Sequence, residues 1–406
     1  MNSRIRSNIF HLVVFIELMV VTSQAQGLNT LSVAEQKAGF ILQYDGKAID
    51  DAILGANPTT KSNWKVVDSA ISPTSFGPDI CTQARYKDFE MRIDVRLADV
   101  DENSGFFTRA PKMENNAWSS GAPEFALQGE PDICGYQCHT GDDYAQKYAS
   151  SYPFITGTPY NSMVLFFNGP LVEFWVNSIK VNEFEMYTPA WLADKAVSSR
   201  WSNDANYGKS KEGHICIQDH TGPQSNNSFF RNWKIRSFVK NGVADTQVPE
   251  PVILVTESSA QSVKVTLDVG MTGAQLRYTL DGSTPTANSS LFTVPLTINP
   301  GVEVKVQAYR ANFTPSIIAS RKLGGTAGAL FQEGKNKIAF DGLTFSVLEQ
   351  GAHSISIRDI QGNLLLEKRG IGRQNYLLKD MRGLRGVKVV SIRTPSSRWQ
   401  QMVFID

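Results

Sequence analysis

The sequence predicts an all-β chain of three modules behind an export signal, and three observations carry that reading. Apolar and polar residues swap at every position through most of the hydrophobic segments, the pattern of strands with one buried face. Turn formers separate those segments: the 406 residues include 31 Gly and 18 Pro, and aromatics make up 10% of the chain. There are no helical heptads and no apolar run long enough for a membrane span in the mature chain. The length alone allows about two to four domains. With 40 Lys and Arg against 39 Asp and Glu, the charge balance gives no reason to expect nucleic acid or a membrane surface as partner.

Residues 1–25 read as a signal peptide. Arg4 and Arg6 form the positive region, and the apolar run Ile9 to Val21 is broken by His11 and Glu17. Ser23-Gln24-Ala25 then fits a small-x-small cleavage site. The alternative is an N-terminal anchor helix, for which the run is short. Export predicts a secreted or cell-surface protein, with the periplasm as a further option, in an oxidising environment. The four cysteines all fall in the first module and allow three pairings. Cys134 with Cys138 and Cys81 with Cys216 is the preferred pairing. The rival is a metal site built from Cys134, Cys138 and His139, but the spacing is not that of a zinc knuckle. No metal is assigned, and the residues name no cofactor.

The first module spans 33–240, a normal length for one large sandwich. Its alternating segments are Phe89 to Leu97, Ser104 to Arg109, Glu124 to Gln128, Ser162 to Phe167 and Val172 to Val176. It is organised around Gly213 to Ile235. There, Ile215 and Ile217 share one strand face with Asp219, while His214, Cys216, Gln218 and His220 share the other. A second face of Gln and His suits a sheet that lines a cleft. A further strand follows, with Phe229, Arg231, Trp233 and Ile235 expected on one side. By the same alternation Glu124 sits with Ala126 and Gln128, opposite Phe125 and Leu127. The stretch from Leu192 to Glu212, rich in Ser, Asn, Lys and Tyr, interrupts the β pattern and is expected as a loop at the cleft rim.

A polar linker, 241–249, leads to a second module at 250–323. Val263 to Leu267, Leu276 to Leu280 and Val302 to Ala308 alternate, and Asp281-Gly282-Ser283 is a hairpin turn. About 75 residues of such strands suggest a small immunoglobulin-like sandwich, read here as a spacer or accessory module. After a Gly/Ala linker, residues 330–406 alternate again at His353 to Ile357, Asn363 to Leu366, Tyr376 to Leu378 and Val387 to Ile392. A second small immunoglobulin-like sandwich is the expectation.

Several segments resemble a known family when taken together. They are Gly39-Phe40-Ile41-Leu42-Gln43-Tyr44-Asp45-Gly46-Lys47, Tyr86-Lys87-Asp88-Phe89-Glu90, Asn103-Ser104-Gly105-Phe106-Phe107-Thr108-Arg109, Val172-Glu173-Phe174-Trp175-Val176-Asn177 and Gly213-His214-Ile215-Cys216-Ile217-Gln218-Asp219-His220. In this order they are similar to the bacterial 3-keto-disaccharide hydrolase family. The resemblance implies a concanavalin-A-like jelly-roll sandwich. Two departures stand out. Where the family has Glu-x-Gln-x-x-Asp, this chain has Glu124, then Ala126 for the Gln and Gly129 for the Asp. The region from Glu130 to Thr158, with two cysteines and a Tyr-rich run, matches nothing clear in the family. Tyr278 to Thr286 resembles the chitobiase/hexosaminidase C-terminal module. The spacing of the last module is similar to C-terminal sorting domains of the type IX secretion system, with Lys388 where an aromatic is usual. That implies secretion machinery as a partner.

The resemblance implies a carbohydrate partner, a disaccharide or glycoside oxidised to a ketone at C3. The ketone acidifies the C2 hydrogen, so one base can start expulsion of the C1 substituent. Such chemistry needs a base, an acid for the leaving oxygen and a positive group for the enolate. Glu124 and His220 are the catalytic candidates. Arg109, Gln128, Trp175, Gln218, Arg231 and His139 are the candidates for binding substrate. Each has a bland alternative: a surface carboxylate for Glu124, a capping role for His220, ion pairs for the arginines and core packing for Trp175. No Ser-His-Asp order, phosphate loop or His-Glu-x-x-His pattern is present, nor the closely spaced acid pair of a laminarinase-type sandwich hydrolase. A non-catalytic, lectin-like glycan-binding protein using the same cleft is the alternative reading of the whole chain.

Overall fold

The structure is a computed structural model. It describes residues 27–49, 64–74, 77–111, 121–129, 136–220, 227–240, 242–258 and 261–323, and within the last module 338–340, 344–347, 350–359, 363–377, 384, 386–394 and 398–405. The expected signal peptide lies outside the described residues.

The chain is nearly all β, as the alternation predicts. A short helix, α1 (Val33–Ala38), opens the first module. Ser32 caps it and accepts a hydrogen bond from the Glu35 amide, while the Glu35 carboxylate accepts one from the Ser32 amide. The strands follow as β1 (Ile41–Leu42), β2 (Trp64–Val67), β3 (Ala70–Pro73), β4 (Ile80–Cys81), β5 (Phe89–Leu97), β6 (Asn103–Ala110), β7 (Glu124–Gln128), β8 (Asn161–Asn168), β9 (Leu171–Val176), β10 (Ile179–Glu185), β11 (His214–Ile217) and β12 (Ser228–Ser237). They form two antiparallel sheets. The larger runs β10-β9-β8-β5-β12-β3-β2, with β1 added on β12, and the smaller runs β4-β11-β6-β7. Met91, Ile93 and Val95 from the large sheet meet Phe106, Phe125, Leu127, Ile215 and Ile217 from the small one in a single core.

Two local expectations are corrected. The segment 189–197 is a helix, α2 (Pro189–Val197), where a loop was expected from Leu192 onward. Pro189 stands at its start and the Thr188 hydroxyl accepts from the Trp191 amide at 3.2 Å. In β12 the register shifts between Arg231 and Lys234, and Asn232 takes a left-handed φ of 54°. This bulge breaks the alternation. Phe230, Trp233 and Ile235 enter the core, while Arg231 faces outward beside Asp94. Arg231 therefore does not share a face with Trp233.

The Cys81–Cys216 disulfide forms as expected, across directly paired positions of β4 and β11. It closes a separation of 135 residues, which the chain-entropy account values at roughly 5 kcal/mol. Cys138 is also disulfide-bonded, so its sulfur is not a thiolate ligand; Cys134 lies outside the described residues.

The second module is a sandwich of its own. Val252–Ser258, Val263–Asp268 and Leu296–Ile298 form one sheet. Ser290–Leu291, Gln275–Thr279, Val302–Tyr309 and Ala319–Leu323 form the other. It sits directly on the outer face of the large sheet. Phe166 and Phe238 of the first module pack with Phe313 of the second. Arg310 lies over the Phe166 ring at 3.9 Å and pairs with Glu173 at 2.8 Å. The Thr272 amide donates to buried Glu90 at 3.0 Å, and Arg236 to the Gly270 carbonyl at 3.4 Å. The last module carries Ile338–Phe340, Thr344–Val347 and Gln374–Leu377 in one sheet. Leu364–Ile371, Ala352–Arg358, Gly386–Arg393 and Arg398–Ile405 make the other. Phe345, Val347, Ile355, Ile357, Val390 and Ile392 form its core. Among the described residues no helix is long and apolar enough to cross a membrane.

Candidate active site

Glu124 opens β7, and pairing fixes which way it points. Phe107 lies opposite Glu124, Cys216 opposite Phe107 and Cys81 opposite Cys216. Directly paired residues share a face, so this row crosses the small sheet on the side away from the core. Phe125, next in sequence, points inward. One step along, Gln218 lies beside Gly105, whose carbonyl accepts from the Gln218 amide at 2.8 Å, and Gly105 pairs with Ala126.

Gly105 makes the room that Glu124 uses. A Cβ on Gly105 would stand 2.8 Å from Oε1 of Glu124, so only a glycine leaves the carboxyl its place. Glu124 is 5% exposed, and none of the described residues donates a hydrogen bond to its carboxyl. Burial, with Asp79 adding to it, pushes its pKa up to about 8, against a smaller opposing pull from Arg200. A carboxyl that is buried, unpaired and titrating near neutrality is the mark of an acid–base group. Gln218 adds a second atom on the same face, since its Oε1 is buried with no partner among the described residues.

The loop after β7 walls this spot. Residues 141–144 run antiparallel to β7: the Ala126 amide donates to the Asp142 carbonyl at 3.1 Å and the Tyr144 amide to the Glu124 carbonyl at 2.9 Å. Tyr144 meets Tyr136 hydroxyl to hydroxyl at 2.9 Å. Burial first, then the Tyr136 bond, raises the Tyr144 pKa, so its phenol keeps its proton. Trp201 donates from Nε1 to the Tyr144 carbonyl at 2.7 Å, and exposed Arg200 precedes it. Behind β7, Asp143 is buried and accepts from the Tyr207 hydroxyl at 3.0 Å. Burial raises its pKa to about 7, which the Tyr207 bond only partly offsets. Tyr207 is stacked between Trp201 at 4.4 Å and Trp191 at 6.0 Å. These residues hold the loop in place from the inside.

The other predicted residues distribute as follows. Gln128 lies on the outer face of β7, and its amide donates to Thr140 Oγ1 at 2.8 Å. His139 is in the wall loop, with Nδ1 3.0 Å from Asp142. His220 is exposed, beyond the end of β11. Arg109 is sealed, 1% exposed. It donates to the Lys87 and Gly169 carbonyls and pairs with Asp88, so it ties loops together and is not presented to a ligand. Trp175 lies on the opposite side of the sandwich, its Nε1 bonded to Glu173 at 2.8 Å and its ring against Gly273 of the second module. Arg231 is on that outer side of the large sheet too, over the Tyr160 ring. The structure thus places Glu124, Gln128 and Gln218 on the outer face of the small sheet, with His139 in the loop beside the Gln128 end of β7. It leaves His220 exposed beyond the end of β11 and sets Arg109, Trp175 and Arg231 apart from that face. Sequence reasoning missed Gly105, Tyr136, Tyr144 and Arg200. The Tyr-rich run after β7 was the available signal. Among the described residues no group of three or more His, Cys, Asp or Glu is placed to hold a metal ion.

Residues 39–236 match the family model of the 3-keto-alpha-glucoside-1,2-lyase-like domain. Residues 265–323 match the Fn3-associated model. No curated protein matches the chain. Among solved structures, it is similar to a candidate glycosyl hydrolase from Parabacteroides distasonis ATCC 8503 at 24% identity, over 52% of this chain and 99% of that one, with a TM-score of 0.45. A second candidate glycosyl hydrolase from the same organism shows 20% identity over 45% of this chain and 92% of that one, with a TM-score of 0.36. The carbohydrate binding module CBM66 from Bacillus subtilis shows 11% identity over 43% and 91%, with a TM-score of 0.29. The family match supports a carbohydrate-active first module.

Proposed function

We propose that the first module breaks the C1–O bond of 3-keto-glycosides by elimination, with Glu124 as the base. One observation carries the reading: a buried carboxyl on the outer face of the small sheet, with no hydrogen-bond donor among the described residues and titrating near neutrality. The substrate enters already oxidised at C3. The Glu124 carboxylate takes the proton from C2, and the electron pair moves into the enolate of the C3 ketone. The enolate collapses to a C1–C2 double bond as the C1–O bond breaks, and the departing oxygen takes a proton. Water then adds across the double bond. Arg200 supplies positive charge beside the enolate, and the Tyr136–Tyr144 hydroxyl pair supplies a donor for the departing oxygen. Gln218 and Gln128 offer amides to sugar hydroxyls, and His139 borders them. His220, from its exposed position, is assigned no part in the proton transfer.

We further propose that the chain is exported through residues 1–25 and that residues 330–406 act with secretion machinery. A lectin-like role is the second reading, favoured by Ala126 and Gly129 where the family carries Gln and Asp. Gly129 is fixed by its neighbours, because a Cβ there would stand 2.3 Å from the Asp99 carbonyl oxygen. Incubating the purified protein with 3-keto-trehalose and 3-keto-lactose separates the readings. Sugar release is expected; binding without release establishes the lectin.

A further inference from the structure

The segment from Tyr136 to Tyr152 does more than wall the Glu124 spot. Tyr148 and Tyr152 are 49% and 40% exposed, large values for aromatic rings in an ordered loop. His139 lies between them, its ring 6.2 Å from Tyr148 and 4.8 Å from Tyr152, centroid to centroid. The His139 and Tyr152 rings are fixed from beneath. Asp142 is fully buried. It accepts from the His139 amide at 2.9 Å, the Ala149 amide at 2.6 Å and the Tyr152 hydroxyl at 3.2 Å, and its other oxygen meets His139 Nδ1 at 3.0 Å. The loop is anchored on both sheets: Thr140 bonds β7, and the Ser150 amide donates to Val181 of β10 at 2.7 Å. A carboxylate so well used does not reach the surface, so what the patch offers is rings and hydroxyls. Rings held rigid before a ligand arrives lose little entropy on binding it.

We propose that His139, Tyr148 and Tyr152 form a stacking platform for the sugar units of a neutral oligosaccharide, beside the Glu124 cleft. The proposal rests on the carbohydrate reading above and extends it, from a two-sugar substrate to a longer chain. Two features argue for a saccharide. The platform is continuous with the Glu124 site, because the strand-like run 141–144 that pairs with β7 beside Glu124 also carries Asp142, which holds His139 and Tyr152. Its surface combines flat apolar faces with hydroxyl edges, which matches the alternating C–H faces and hydroxyl rims of pyranose rings.

The test is titration calorimetry on the full chain with unoxidised glucose oligomers of two and six units, in α-1,4, α-1,6 and β-1,4 linkage. At least one six-unit oligomer should bind about tenfold or more tightly than its two-unit counterpart. Tyr148→Ala and Tyr152→Ala should each remove most of that gain. Tyr152→Phe, which keeps the ring and gives up the Asp142 bond, should retain it. The oligomers are unoxidised and binding is read without turnover, so the platform stands or falls separately from the catalytic assignment. Equal affinity for both lengths in every linkage, no binding at all, or undiminished affinity in both alanine variants would overturn the proposal.

Discussion

At the residue scale, the same burial that sets the proton affinity of Glu124 also costs the fold stability as pH rises. Folded Glu124 titrates near 8, well above an unfolded carboxyl. Between the unfolded and folded values the native state therefore binds more protons than the unfolded one, and stability falls with increasing pH across that window. The contribution is complete below the unfolded pKa and lost by about pH 8, on the order of 5 kcal/mol. Glu124→Gln cannot ionise. It should raise the melting temperature relative to wild type at pH 8, with the difference vanishing near pH 4, as measured by calorimetry at matched ionic strength. Asp143, raised to about 7 by burial, slopes the same way and will remain in the variant. That Glu124 faces away from the core was legible, because alternation through Phe125 and Leu127 leaves no other choice. That it would be buried and unpaired was not legible, since its neighbours Tyr144, Tyr136 and Arg200 come from loops without periodicity.

At the scale of single elements, Gly105 in β6 and the bulge in β12 decide where side chains can stand. Gly105→Ala places a methyl group 2.8 Å from Oε1 of Glu124. The carboxyl is the far end of a flexible side chain, so it will swing aside at little cost to folding. Turnover should fall at least tenfold with the melting temperature nearly unchanged; normal turnover would show that the carboxyl need not lie over residue 105. Strands β5 and β7 were readable to the residue, from Phe89 to Leu97 and Glu124 to Gln128, because each alternates without interruption. The β12 bulge was not, because one extra residue at Asn232 leaves the composition of the strand unchanged while reversing its parity. Helix α2 carried readable signals in Thr188 and Pro189, but its nine residues bury only Trp191 and so show little hydrophobic period.

At the scale of the whole molecule, the second module is part of the first module's packing. Arg310 and Glu173 form a pair with side chains 6% and 8% exposed. Removing one partner leaves a buried charge, so Arg310→Ala should destabilise the protein by about 3 kcal/mol, measured by denaturant unfolding. A loss below 1 kcal/mol would mean the two modules do not rest on each other as described. The spacer role suggested by sequence missed this, because Phe166, Glu173 and Trp175 alternate like any surface strand and only docking shows what covers them. By contrast, deleting residues 327–406 should leave turnover intact and change where the protein ends up, checked by activity and fractionation of the truncated chain. The central claim is that the Glu124 carboxylate removes the C2 proton, and the pH dependence of kcat/KM on 3-keto-trehalose or 3-keto-lactose tests it most directly. The rate should climb through about pH 8 and level off, and Glu124→Gln should lower it roughly 100-fold or more and abolish the climb. A rate that falls through pH 8, or a Glu124→Gln variant with wild-type turnover, would contradict the account.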